Sequence, residues 1–267
     1  MRLDGIRTRL AALAAVALLG LAGCGGDGDD TATPAASASG SGVTGSVTVF
    51  AASSLTESFN QIGKDFEAAN PGTKVTFNYA ASSALATQIN QGAPADVFAS
   101  ASPATMKTVT DAGNGDGTPV IFVKNQLVIA VPKGNPKGVT GLADLTKAGV
   151  KVALCAEQVP CGAAAKKAID AAGVRLTPVT LEENVKSALS KVTLGEVDAA
   201  LVYRTDAKAA ASDVDGIEFP ESAGAINDYP LVVLKAAPNK TAAQAFVTYV
   251  QSDKAKAVLT AAGFQAP

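Results

Sequence analysis

The chain contains no histidine and no tryptophan. The first absence removes the commonest general base and the commonest transition-metal ligand. The second, with aromatics at 5% of 267 residues, leaves Ala, Val and Leu to fill the interior, so packing relies on small side chains. There are three cysteines, none in C-x-x-C spacing, which speaks against thiol redox chemistry. No G-x-S-x-G nucleophile elbow occurs. Net charge is slight, −2, with a pI near 5.3, and this balance argues against a nucleic-acid partner. What is present, 48% hydrophobic residues, suffices for one large domain or two smaller ones, each with its own core.

Arg2, Arg7 and Arg9 precede an apolar run over residues 10–22, short for a bilayer span. The run leads into LAGC at 21–24. This arrangement resembles a bacterial lipoprotein signal, cleaved before Cys24, whose thiol and new amino group would carry lipid. An ordinary secretory signal and an uncleaved anchor are the alternatives, and all three export the remainder of the chain. Residues 1–23 are read as the signal. Residues 24–45, rich in Gly, Ser, Asp, Ala and Thr without apolar periodicity, are read as a flexible tether. The expected location is the outer side of the cell membrane, held there by lipid on Cys24. Cys155 and Cys161 then lie six apart in an oxidising compartment. A local disulfide is expected. Two free thiols or a metal clip remain as alternatives, with Glu157 weak support for a clip.

From residue 46, short apolar runs alternate with amphipathic stretches. Strands are expected at 47–50, 74–79, 96–99, 127–131, 151–154, 199–203, 217–219 and 231–234, with 177–181 extended. Leu55, Phe59, Ile62 and Phe66 recur at helical spacing. Ser102-Pro103 opens a helix with a cap and an N1 proline. Residues 113–117 read as a Gly-rich turn, 142–145 as a short helix, 162–172 as an Ala-rich helix closed by Gly173, and 241–262 as two helices broken near Ser252-Asp253. Strands alternating with helices imply an α/β fold with mostly parallel sheets flanked by helices. Two such series suggest two lobes, 46–124 and 125–224.

Four strand-to-helix turns stand out. VFAASSLTESF at 49–59 and AASSALATQI at 80–89 each put two hydroxyls at a helix start. CAEQVPCGAAAKKA begins a helix near Cys161, and EENVKSAL begins another near Val185. Ser54-x-x-Glu57 fits a capping box, worth about 1 kcal/mol as a purely structural cap. In an open α/β sheet, however, all four turns lie at carboxyl ends of strands, where ligands bind. Each helix N-terminus offers unpaired N–H groups and roughly +0.5 charge, so four converging ends supply about +2. An acidic protein can then hold a dianion without a lysine or arginine beside it.

VTVFAASSLTESF, YAASSALATQI, QGAPADVFASA, EQVPCGAAAKKA, ENVKSAL and DAALVYRTDA together resemble the molybdate-binding proteins of bacterial ABC transporters, over residues 46–267. The resemblance implies a two-lobed, periplasmic-binding-protein-like fold with a hinged cleft, in which residues 225–267 return to the first lobe. It implies capture of molybdate or tungstate for a membrane permease, with no cofactor and no catalysis. It further implies hydroxyl ligands from Ser54, Ser82 and Tyr203 and backbone N–H ligands from Cys161 and Val185, with Ser53 and Ser83 as neighbours able to support or replace them. The molybdenum itself has no direct protein ligand in this reading, and a monomer is expected.

A site made only of donors favours a fully deprotonated dianion. Hydrogen phosphate carries a proton that needs an acceptor, and sulfate is too small to reach every donor at once. Molybdate and tungstate are nearly the same size and are not separated. A receptor for sulfate or another oxyanion is the rival within the same fold. A hydrolase pairing a serine with Lys166 or Lys186 is a remote rival, since no histidine can activate Ser54 or Cys161.

Overall fold

The computed structural model describes residues 42–267. The signal reading of residues 1–23, lipidation of Cys24 and most of the tether lie outside the described residues. Among the described residues, no helix is long and apolar enough to cross a membrane.

Among the described residues ten strands occur in chain order: β1 (Gly45–Ala52), β2 (Thr73–Ala80), β3 (Val97–Ala99), β4 (Gly115–Asn125), β5 (Leu127–Pro132), β6 (Val152–Cys155), β7 (Thr180–Glu182), β8 (Ala199–Tyr203), β9 (Val214–Ile217) and β10 (Asn227–Leu234). Eight α-helices accompany them: α1 (Thr56–Ala69), α2 (Ser82–Asn90), α3 (Pro103–Asp111), α4 (Pro160–Ala172), α5 (Val185–Thr193), α6 (Arg204–Ala209), α7 (Lys240–Val250) and α8 (Asp253–Ala262). The strands form two five-stranded sheets, ordered β2-β1-β3-β10-β4 and β7-β6-β8-β5-β9.

The two sheets share one plan. In the first, β1 pairs in parallel with β2 and β3, while β10 runs antiparallel between β3 and β4. In the second, β6 pairs in parallel with β7 and β8, while β5 runs antiparallel between β8 and β9. The reversed strand is in each case the one entered directly from the other sheet. The chain leaves the first sheet through Asn125 and returns at Asn227, and these two residues face each other across the β4–β10 ladder.

The pattern of side chains explains these elements. β8, at the centre of its sheet, is AALVY and buried throughout, as a strand covered on both faces should be. Along α1 the helically spaced Phe59, Ile62 and Phe66, with Leu55 just before them, are all at most 1% exposed. The first sheet and its helices bury an aromatic cluster: Phe59 packs against Phe122 and Phe246 at centroid distances of 5.8 and 6.2 Å. The second core is aliphatic, with Tyr203 and Phe219 its aromatic members.

Several local expectations need correction. The Gly-rich turn at 113–117 is mostly the start of β4, an eleven-residue strand. Its Gly115, Gly117 and Pro119 are tolerated because β4 is a sheet edge. The strand expected at 217–219 lies earlier, at β9, and Phe219 instead precedes a 3-10 turn, Pro220–Ala225. Helix α6, six residues beginning at Arg204, has no apolar stripe long enough to announce it. The capping box at Ser54 does not form: Ser54 sits inside a 3-10 turn, Ser53–Leu55, and no side chain caps that turn or α1.

Candidate functional site

Six strand ends open onto one small cavity, three from each sheet. Ser53 and Ser54 follow β1, Ser82 follows β2 and Ala101 follows β3; Val159, Pro160 and Cys161 follow β6, Asn184 and Val185 follow β7, and Tyr203 ends β8. The cavity is small, about 10 Å³, the room that a single water needs. Small side chains at Ala52, Ala80, Ala81 and Ala101 complete the wall, and no charged side chain lines it. Ser54, Ser82, Cys161, Val185, Tyr203 and Ser53 are thus brought together. Ser83 is not: it faces an outer groove with Thr87 and Thr108, and its carbonyl accepts the Thr87 hydroxyl at 3.0 Å.

The three hydroxyls are held by partners distant in sequence. Ser54 Oγ lies 2.8 Å from the Tyr229 hydroxyl, both groups being buried. Ser82 Oγ accepts the Ala101 N–H at 2.9 Å. The Tyr203 hydroxyl accepts Asn227 Nδ2–H at 2.7 Å, and the same amide donates to the Ala101 carbonyl at 2.8 Å. Neither serine caps its own helix. Burial, then the neighbouring Tyr229 and Asp206, hold the Tyr203 phenol well above its ordinary pKa, so it stays protonated.

The backbone contributes its own donors. First-turn N–H groups of a helix lack a carbonyl one turn back. In α4, Pro160 has no N–H, so Cys161 is the first residue able to donate. In α5, Asn184 caps by accepting the Ser187 N–H at 3.0 Å, which leaves the Val185 N–H outside that bond. Cys155 and Cys161 are joined in a disulfide, Cα–Cα 5.8 Å, which closes the loop 156–160 at the cavity wall. Both sulfurs are committed to each other, so the free-thiol and metal-clip alternatives do not hold. α4 packs so tightly on this loop that a Cβ on Gly162 would collide with the Ala156 carbonyl.

Behind the cavity lies an ion cluster. Lys186 Nζ is 2.8 Å from both Glu57 carboxylate oxygens and 3.0 Å from Asp206 Oδ1. The Asp206 contact is an ion pair, and no hydrogen bond of good alignment reaches either Asp206 oxygen. Burial pushes the Asp206 carboxyl up to about 6, against the pull of Lys186. Burial lowers the Lys186 pKa, but the two carboxylates outweigh it and the ammonium sits above its ordinary value. Lys166 pairs with Asp170 at 2.7 Å. Neither lysine lines the cavity, so neither is placed to activate a serine there.

Asn184, Ala101, Asn125, Asn227 and Tyr229 have parts in or around this site that were not anticipated. Asn184 carried a local signal, an Asn just before a helical run. The others carry none, because their partners are 19 to 175 residues away.

Two α/β lobes of like topology, with strand ends from both closing on one cavity, define a solute receptor. Residues 47–265 match the bacterial extracellular solute-binding proteins, and the chain belongs to that family, which is one of binding proteins and not of enzymes. Among its relatives is the molybdate-binding protein ModA of Mycobacterium tuberculosis, 46% identical over 222 residues, 83% of this chain and 85% of that one. The fold matches the periplasmic molybdate-binding protein of Azotobacter vinelandii, with TM-score 0.72, 22% identity, and 83% and 99% of the two chains covered. It also matches the sulfate-binding protein SubI of Mycobacterium tuberculosis, with TM-score 0.70, 20% identity, and coverage of 83% and 86%.

Proposed function

We propose that this protein captures molybdate or tungstate outside the cytoplasm and delivers it to the permease of an ABC importer, itself catalysing no reaction. The observation that carries this reading is a cavity with no charged side chain onto which helix starts and three buried hydroxyls converge. Ser54, Ser82 and Tyr203 donate through their hydroxyls and Cys161 and Val185 through backbone N–H groups, and Ser53 supports the wall. Hydrogen bonds to a charged acceptor are worth about 1.5–3 kcal/mol each, which lets neutral donors hold a dianion. Ligands from both lobes bias the hinge toward closure. The closed monomer is what the permease reads, and lipid on Cys24 keeps it at the membrane. The 46% identity to a protein named for molybdate favours molybdate over sulfate.

A thermal-shift series with molybdate, tungstate, sulfate, phosphate and ferric citrate tests this. A ligand at 100 times its dissociation constant adds about 2.7 kcal/mol to stability. Molybdate and tungstate are expected to stabilise strongly, sulfate weakly, phosphate poorly and ferric citrate not at all. Stabilisation by phosphate and not by molybdate would overturn the proposal.

A further inference from the structure

We propose that Asn125 and Asn227, the facing asparagines where the chain crosses between the lobes, orient the hydroxyl protons of Ser54 and Tyr203 into the cavity and so set its preference for proton-free anions. This rests on the oxyanion reading above and deepens it.

A hydroxyl has one proton to give and lone pairs to accept with, so an uncommitted hydroxyl serves either kind of ligand. The surroundings remove that freedom here. Asn227 Nδ2 touches the Tyr203 hydroxyl at 2.7 Å, and its bond to the Ala101 carbonyl fixes that end of the amide as the donor. Asn125 Oδ1 accepts the Gln126 N–H at 3.0 Å, which fixes Nδ2 as the end facing Tyr229, at 3.4 Å. Either hydroxyl can donate across the 2.8 Å between Tyr229 and Ser54 Oγ; with the Asn125 amide donating to Tyr229, we take Tyr229 as the donor to Ser54. An amide N–H can only donate. The protons of Tyr203 and, through Tyr229, of Ser54 are therefore turned away from the asparagines. The Tyr203 and Tyr229 hydroxyls also interact with each other, but an anion in the cavity is the stronger acceptor for either chain.

Neither asparagine nor Tyr229 lines the cavity, so none of them touches the anion. They are positioning residues. Asn125 is fully buried, where an amide is costly unless each hydrogen bond is made, and its bonds run to Thr205, Tyr229 and the next backbone N–H. The placement at the crossover also has a consequence. Asn227 ties Ala101, in the first lobe, to Tyr203, in the second, and the Ala101 N–H holds Ser82 Oγ as an acceptor in the same way. Hydroxyls from both lobes thus have their protons set from the hinge.

Tyr229→Phe removes one hydroxyl and keeps the ring; Asn227→Ala removes the other orienting donor. Molybdate, sulfate and inorganic phosphate are titrated calorimetrically into the full protein and both variants at neutral pH, with melting curves to verify folding. In each variant molybdate and sulfate are expected to weaken together by about tenfold. Phosphate is expected to weaken less or to gain, because a freed hydroxyl can accept its proton, so the molybdate-to-phosphate ratio narrows by about tenfold while the molybdate-to-sulfate ratio holds. Unchanged affinities in a folded variant would overturn the inference, as would both ratios collapsing together, the mark of general loosening. Asn227→Ala decides the matter if Tyr229→Phe does not fold. A wild type that binds none of the three anions would instead remove the proposed function itself.

Discussion

Lys186 of the second lobe grips Glu57 of the first with both carboxylate oxygens at 2.8 Å, and it does so one residue from Val185 at the cavity wall. The contact joins the two lobes through a charge pair that does not line the cavity. Glu57→Gln is expected to weaken molybdate binding by up to about fivefold, since a half-exposed pair contributes about 1 kcal/mol or less. Titration at low and high ionic strength checks it: the gap between variant and wild type should shrink as salt screens the pair.

Asp206 makes stability depend on pH in the direction opposite to most carboxylates. Its folded pKa, raised to about 6 by burial, lies above the ordinary 3.8. Between these values the unfolded chain has released the proton while the fold retains it. Raising pH through that window therefore favours unfolding, and the loss is complete above about 6. The interval from 3.8 to about 6 corresponds to about 3 kcal/mol. Asp206→Asn lacks this dependence. Chemical denaturation of both proteins is expected to show the variant gaining on the wild type from pH about 4 to about 6, with a constant difference above that.

Ser82→Ala and Tyr203→Phe remove a proposed donor with little change of shape. Each is expected to weaken molybdate by about tenfold to a hundredfold, read by calorimetry. The Ala101 N–H that Ser82 now satisfies becomes unpaired in the alanine variant. Its melting temperature should therefore drop slightly, whereas Tyr203→Phe, which leaves the Asn227 amide its bonds to the Ala101 and Pro160 carbonyls, should melt close to wild type.

Replacing Cys155 and Cys161 together by serine releases the loop 156–160. A short disulfide loop contributes about 2 kcal/mol to stability. Ordering the loop then falls to ligand binding, so affinity is expected to drop by about threefold to tenfold while the order of preference among oxyanions stays the same. Reduction of the native protein, monitored by melting with and without molybdate, should reproduce both effects.

Much of this fold was legible because its strands are short apolar runs that end abruptly in small or hydroxylated residues. The helices over 160–172, 185–193, 240–250 and 253–262 announced themselves through spacing and through caps such as Ser252. β4 was hidden because glycine and proline, which punctuate most sequences, are harmless on a sheet edge. Ser54 was legible as a hydroxyl beside a helix but its partner was not: the local pattern offered Glu57, whereas the fold supplied Tyr229 from 175 residues away. The same limit hid both crossover asparagines. Their place is set by strand register across the molecule, and no window of neighbouring residues encodes that.

The Tyr203 and Tyr229 rings meet edge to face, centroids 6.1 Å apart, with one hydroxyl at the cavity and the other a single bond behind it. In a chain free of tryptophan, emission excited beyond the phenylalanine band comes from four phenols. Half of these built-in chromophores therefore stand at the cleft, and arrival of a charged guest beside them should register in the protein's own fluorescence without any attached label.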